Sequence, residues 1–190
     1  MTSALALLSG CERRAGPAPT PRAIEDAAVE AVLSRTLEHL VLTSDGDRVR
    51  GARRLVVRPE LRGGSRGLPA VAQLSGAWPE LPPAVLKLYP RIGAGRSEET
   101  LSADLVQELS RDERIVVSAA DFGAVRAAAW PDEVGAVRLW PPVFERPGGP
   151  ALVGYGLRRS TSRHSSFGLC LLEERDSRWS VVAAHVLRFP

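Results

Sequence analysis

Residues 151–190 constrain the fold most, because side chains alternate there with period two through three consecutive segments. In residues 151–159, Val153, Tyr155 and Leu157 share one face, and Gly154, Gly156 and Arg158 share the other. Residues 166–173 repeat the pattern, with Phe167, Leu169 and Leu171 against Gly168, Cys170 and Leu172. So little polar surface on either face places this strand in the middle of a sheet. In residues 179–189, Trp179, Val181, Ala183, His185, Leu187 and Phe189 fall on one face, after a polar turn at 173–178. Three such strands in a row read as an antiparallel meander.

The chain before this meander supplies something to cover it. Thr20-Pro21 offers an N-cap residue followed by proline at the first helical position, and Glu25 and Asp26 put negative charge in the opening turns. Val29, Val32, Leu33, Thr36 and Leu40 then recur at helical spacing, with Glu30, Arg35 and Glu38 off that stripe. The expected helix is amphipathic and ends at the turn-forming run 43–47. Short strands are expected at 54–58, at a sheet edge before Pro59, at 114–118, and at 134–139 as an outer strand broken by Trp140-Pro141-Pro142. Short helices are expected at 84–89, at 101–109, and at 119–129 behind a Ser118 cap. The fold class is α+β, a long N-terminal helix on a curved antiparallel sheet ending in the C-terminal meander. Residues 23–190 form one domain.

Composition narrows the function classes. The chain of 190 residues carries a formal net charge of +3, almost all of its positive charge on arginine, since Lys87 is the only lysine. Neither a basic recognition helix nor a basic face interleaved with aromatics is present, which argues against nucleic acid. No apolar run is long enough to span a membrane. Residues 1–10 form a signal-like segment: the apolar run 4–8 leads into Leu8-Ser9-Gly10-Cys11, similar to the lipobox of bacterial lipoproteins, in which the cysteine is acylated. A start further upstream would complete its short apolar stretch. Residues 11–22, with Pro17, Pro19 and Pro21, read as a flexible tether. A lipidated Cys11 would attach the chain to a membrane at the bacterial cell envelope; if the segment is not a signal, the location is cytoplasmic.

The candidate sites follow from donor chemistry. Arg158, Arg159, Arg163 and His164, interspersed with Ser160, Thr161 and Ser162, form a possible anion-binding connection, the bland alternative being a solvated charged loop. The seven arginines between Arg48 and Arg66 are open to the same two readings. His39, His164 and His185 have no spacing that suits a metal, and no cofactor motif occurs. Asp121-Phe122-Gly123 matches the kinase tripeptide in letters only. Cys170, flanked by leucines, reads as a buried thiol. Tyr155 and His185, with an acid from the helix, would make a pocket if they converge under that helix.

Trp130-Pro131, Val137-Arg138-Leu139 with Pro142 and Phe144, Gly149 with Ala151-Leu152-Val153 and Tyr155, Gly168 with Leu171-Leu172-Glu173, and Trp179-Ser180-Val181-Val182 carry a resemblance. Together they resemble an uncharacterised family of bacterial exported proteins and lipoproteins. The resemblance implies a helix packed on a small antiparallel sheet, similar in appearance to cystatin-like or nuclear-transport-factor-like domains. Many family members pair Cys-Gly in both strands of the hairpin, where this chain has residues 159–166 and only Cys170. Two functions stay open: an envelope-anchored, non-enzymatic domain that binds a partner protein or an anionic surface, and a small-ligand or enzymatic pocket under the helix. The sequence names no activity.

Overall fold

Thr20 opens the first element: its hydroxyl oxygen accepts a hydrogen bond from the N–H of Ala23 at 3.2 Å, and its carbonyl accepts one from Ile24 at 3.1 Å. Pro21 occupies the first helical position, where its missing N–H costs nothing. Helix α1 (Pro21–Thr43) follows, starting inside the stretch expected as tether. The computed structural model describes residues 20–43, 54–65, 68–94, 99–119, 133–159, 165–176 and 178–189. Along α1, Ala28, Val29, Val32, Leu33 and Thr36 are buried on one stripe while Glu30 and Arg35 are exposed, as the periodicity requires. The side chain of Leu40 and the helix expected at 119–129 lie outside the described residues, apart from Ala119 at the margin of the latter.

After α1 come β1 (Arg54–Val57), α2 (Val71–Ala77), α3 (Pro83–Leu88), a 3-10 turn (Tyr89–Arg91), α4 (Ala103–Leu109), β2 (Ile115–Val117), β3 (Glu133–Leu139) and β4 (Val143–Phe144). The expected meander then appears as β5 (Ala151–Arg159), β6 (Ser165–Arg175) and β7 (Arg178–Phe189). The described residues form an α+β fold of four helices and one seven-stranded sheet, in the order β2-β1-β3-β5-β6-β7 with β4 also paired to β5. The sheet is mixed rather than purely antiparallel, because β1 runs parallel to both β2 and β3. A parallel pair needs a long crossover, and α2, α3 and α4 provide it between β1 and β2. Strand β1 is therefore interior, not an edge, and β3 lies between β1 and β5 rather than at the outside.

Both faces of the sheet are covered. On one face α1 and α4 pack over Leu55, Val57, Val137, Leu139, Val153, Tyr155, Leu157, Cys170 and Leu172. On the other, α2, α3 and the 3-10 turn pack over Trp140, Leu152, Phe167, Leu169 and Leu171. The two-sided apolar pattern read in β6 is what this arrangement demands, and β6 does sit between β5 and β7. Trp140 is 1 % exposed, with its Nε1–H donating to the Gly64 carbonyl at 3.2 Å and the Arg62 guanidinium 4.9 Å from its ring centroid. The residue that breaks β3 is thus a centre of the second core.

The alternation read in β7 holds only in halves. A register shift between Leu171 and Leu172 pairs them with Ala183 and Val181, leaving Val182 as the extra residue. Before it, Trp179 and Val181 face the α1 core; after it, Ala183 and Leu187 face the other core. Trp179 is half-buried at the margin of the first core, its ring edge-on to Phe144 at 5.5 Å, and is not the fully buried anchor its strand position suggests.

Candidate functional site

The bulge decides the fate of the expected Tyr155–His185 pocket. His185 pairs with Leu169 and stacks on Trp78, centroids 5.0 Å apart and planes 16° off parallel, on the α2 side of the sheet. Tyr155 pairs with Gly168 and lies on the α1 side. The sheet itself separates them.

Tyr155 is 3 % exposed, and its ring fills the space where Gly168 has no side chain, so a Cβ built at Gly168 would overlap the ring. Burial drives the Tyr155 hydroxyl well above the ordinary range, Cys170 adds to the shift, and Thr36 and Arg35 partly offset it. Cys170 is buried and free, and burial pushes its thiol up to about 12, offset only by Arg35. At neutral pH it is therefore a protonated, inaccessible group rather than a nucleophile.

Of the expected anion-binding group, Arg163 and His164 lie outside the described residues, as does Cys11. Arg158 is exposed at the end of β5, opposite Ala136 and Ser165, and Arg159 pairs with Gly135, its side chain outside the description. The structure thus brings together no more of this group than two neighbours on one strand end.

A different place gathers charge and apolar surface. Two adjoining hollows, of about 420 and 310 Å³, open at the end of the sheet where the start of α1 meets β4, and Glu25, Arg91 and Phe144 line both. Pro141, Pro142 and Val143 wall the first hollow, and Pro21, Ile24 and Pro147 the second. Local chemistry fixes each piece. Proline at 141 and 142 ends β3, so the chain re-pairs with β5 only as the two-residue β4. The turn after β4 closes by Gly149 N–H to Arg146 carbonyl at 2.9 Å and Glu145 N–H to Pro150 carbonyl at 2.9 Å.

Arg91 ends the 3-10 turn, and its Nη1 donates to the Phe144 carbonyl at 2.9 Å, which pins the guanidinium at the lip of both hollows. Glu25 projects from α1 with Arg22 3.5 Å away. Arg22 also approaches Asp26 at 3.7 Å and donates to the Thr100 carbonyl, and Asp26 accepts from the Ser102 hydroxyl at 2.5 Å. These contacts lock the start of α1 to the start of α4, where the same Ser102 oxygen accepts from Leu105 N–H at 3.0 Å. On the far wall, Lys87 pairs with Glu145 and, together with the weaker pull of Arg146, holds its carboxyl below the usual range.

The cleft can hold a ligand, since its volume lies in the range of about 300–1,000 Å³ typical of small-molecule sites. It brings Arg91 and the Arg22-paired Glu25 to one trough, whose second hollow is also lined by Glu145 and Arg146. Sequence reasoning missed it because Glu25, Arg91 and Phe144 are distant in the chain; the only signals were the Trp140-Pro141-Pro142 break and the turn at Gly148-Gly149-Pro150 that position β4. Among the described residues no group of three or more His, Cys, Asp or Glu is placed to hold a metal ion, and no helix is long and apolar enough to cross a membrane. Comparison with protein-family models, curated proteins and solved structures gave no match.

Proposed function

We propose that this chain is a domain anchored at a bacterial cell envelope through a lipidated Cys11, and that it binds a partner or ligand rather than transforming one. The observation that carries the binding reading is the Glu25–Arg91–Phe144 cleft, a concave site with polar groups pinned on apolar walls. The anchoring reading rests on Leu8-Ser9-Gly10-Cys11 and the proline-bearing polar stretch that follows. On this reading α1 is the long helix of an exported α+β domain, lying over the curved antiparallel part of its sheet, and its start presents the cleft. Acylation at more than one position, aided by Arg13 and Arg14, would supply stable attachment, since a single acyl chain gives only marginal binding.

Two measurements test the two halves. Fractionation of cells expressing the gene should place the parent in the membrane fraction and Cys11→Ser in the soluble one; identical soluble partitioning would remove the lipid anchor at Cys11. Hydrogen exchange at residues 143–149 should slow when an envelope extract is added to the parent and not when it is added to Arg91→Glu. Equal exchange with and without extract would remove the cleft as the binding site.

A further inference from the structure

We propose that the cleft takes an amphiphilic monoanion, a single carboxylate head on a short apolar tail. The proposal rests on the binding reading above and names the ligand class for it. The second hollow is lined by two guanidiniums, Arg91 and Arg146, and two carboxylates, Glu25 and Glu145. The carboxylates are already engaged. Glu25 is paired with Arg22 at 3.5 Å and has further contacts, and Glu145 is held by Lys87, with Arg146 a lesser attraction. Among the described residues neither Arg91 nor Arg146 forms an ion pair; Arg91 gives one of the five N–H donors of a guanidinium to the Phe144 carbonyl, and Arg146 is exposed. Both are nonetheless placed. That bond pins Arg91 at the lip, and the stem of Arg146 lies over the buried Gly149, where a Cβ would come 2.7 Å from Arg146 Cγ.

Charge and surface then select the ligand. Among the described residues Arg22, Lys87, Arg91 and Arg146 stand in or beside the trough against Glu25, Glu145 and Asp26, the last approached by Arg22. The excess is one positive charge. A monoanion at Arg91 and Arg146 completes that balance, whereas a dianion would overshoot it beside Glu25 and Glu145, and a cation would add to it. A guanidinium meets a carboxylate through two parallel N–H···O bonds, so these two side chains suffice for the head. The remaining surface is apolar: Pro21, Ile24, Phe144 and Pro147 in this hollow, and Pro141 and Pro142 in the one that shares Phe144 with it. A small hydrated anion would leave those walls wet, while an acyl or aryl tail along Phe144 removes them from water. The hollows, of about 420 and 310 Å³, lie at the low end for small-molecule sites, which favours one short tail over the two long chains of a membrane lipid.

The test is titration of the isotope-labelled full chain, carrying Cys11→Ser to keep it in solution, with octanoate, octanamide, octylammonium, acetate and octyl phosphate, followed by amide shifts at Ile24, Gly93, Ala94, Phe144 and Gly148. Octanoate should shift these amides at concentrations up to about 1 mM, and octanamide, octylammonium and acetate should each bind at least about tenfold more weakly. Octyl phosphate at pH 8, a dianion, should also bind more weakly than octanoate. Arg146→Gln and Arg91→Gln should each weaken octanoate about tenfold and leave octanamide unchanged. Arg111→Gln, at an exposed arginine that lines neither hollow, should change nothing, and each variant should keep the parent melting temperature within a few degrees. Phosphatidylglycerol vesicles should not co-sediment the chain; co-sedimentation abolished by Arg146→Gln would move the anion into a bilayer and overturn the proposal. Equal affinity for octanoate and octanamide, or tighter binding of acetate or octyl phosphate than of octanoate, would overturn the ligand class while leaving the cleft a binding site. No shift from any probe would overturn the ligand class as well, with the binding reading then judged by the response to envelope extract.

Discussion

Gly168→Ala provides the sharpest test of how the sheet packs. In an ordinary strand this substitution gains about 0.5–1 kcal/mol by restricting the unfolded chain. Here the new methyl would overlap Cζ and Cε1 of Tyr155 and come 2.5 Å from its hydroxyl oxygen. The ring cannot step aside cheaply, because Tyr155 is 3 % exposed and belongs to the same core as Thr36's neighbours Val32 and Leu33 and as Cys170. Overpacking of this kind costs about 1–3 kcal/mol. Set against the backbone gain, the expected net loss is about 1–2 kcal/mol, or a melting temperature lower by roughly 2–8 °C for a domain of this size.

The assay is urea denaturation of a double-mutant cycle with Tyr155→Val. With the ring gone, the methyl at position 168 enters vacated space and should stabilise that background by about 0.5–1 kcal/mol. The two sites should therefore couple by about 2–3 kcal/mol. If Gly168→Ala is neutral or stabilising in both backgrounds, the Tyr155 ring does not lie over Gly168 and the account of this core face is wrong.

Trp140→Ala should cost about 3–5 kcal/mol and Trp179→Ala distinctly less, because only the first indole is fully buried with its N–H bonded; denaturant midpoints in the reverse order would refute the assignment of the two cores. Ser102→Ala should cost about 1 kcal/mol by removing the α4 cap and the bond to Asp26, and unchanged stability would show that the α1–α4 lock carries no weight. The Cys170 thiol titrates near 9.0 when unperturbed and at about 12 in the fold, so its contribution to stability is complete below pH 9 and is lost as pH rises toward 12. Melting temperatures should fall over that window, less so in Cys170→Ala, and in a Cys11→Ser background the native thiol should resist a disulfide reagent at pH 8 that labels the unfolded chain; prompt native labelling of that variant would contradict the burial of Cys170.

What the residues disclosed, and what they withheld, divides along physical lines. Helix α1 and strands β5 and β6 were readable because each buries a continuous pattern, and the cap at Thr20 and the two-sided apolar run of β6 have one structural meaning apiece. The parallel pairing of β1 was not, since period-two alternation says nothing about the direction or identity of a partner reached through three helices. The bulge at Val182 was hidden for a different reason. Val181, Val182, Ala183 and Ala184 are apolar in both phases, so a one-residue slip leaves no trace in the pattern, although it sends His185 to the opposite face from the one needed to meet Tyr155. Trp140 read as a strand terminator because of the prolines after it, yet its ring packs over Gly154 and Gly156 of the neighbouring strand, at ordinary contact distance from where their Cβ atoms would lie. The cleft was invisible because its charges are ordinary surface residues until folding brings α1, the 3-10 turn and β4 together.

The irregularity in β7 also bears on how the molecule behaves in a crowd of its own copies. Among the described residues β7 is the last strand of the sheet, twelve residues long, and a straight ladder of that length would offer a second molecule a template for open-ended growth. The extra residue at Val182 divides it. An incoming strand finds a run at 178–181 and another at 183–189 whose side chains are out of step, so pairing that fits one half misplaces the other. The edge of the sheet is thereby a poorer template for fibrous growth, because of the one residue that interrupts the register of its last strand.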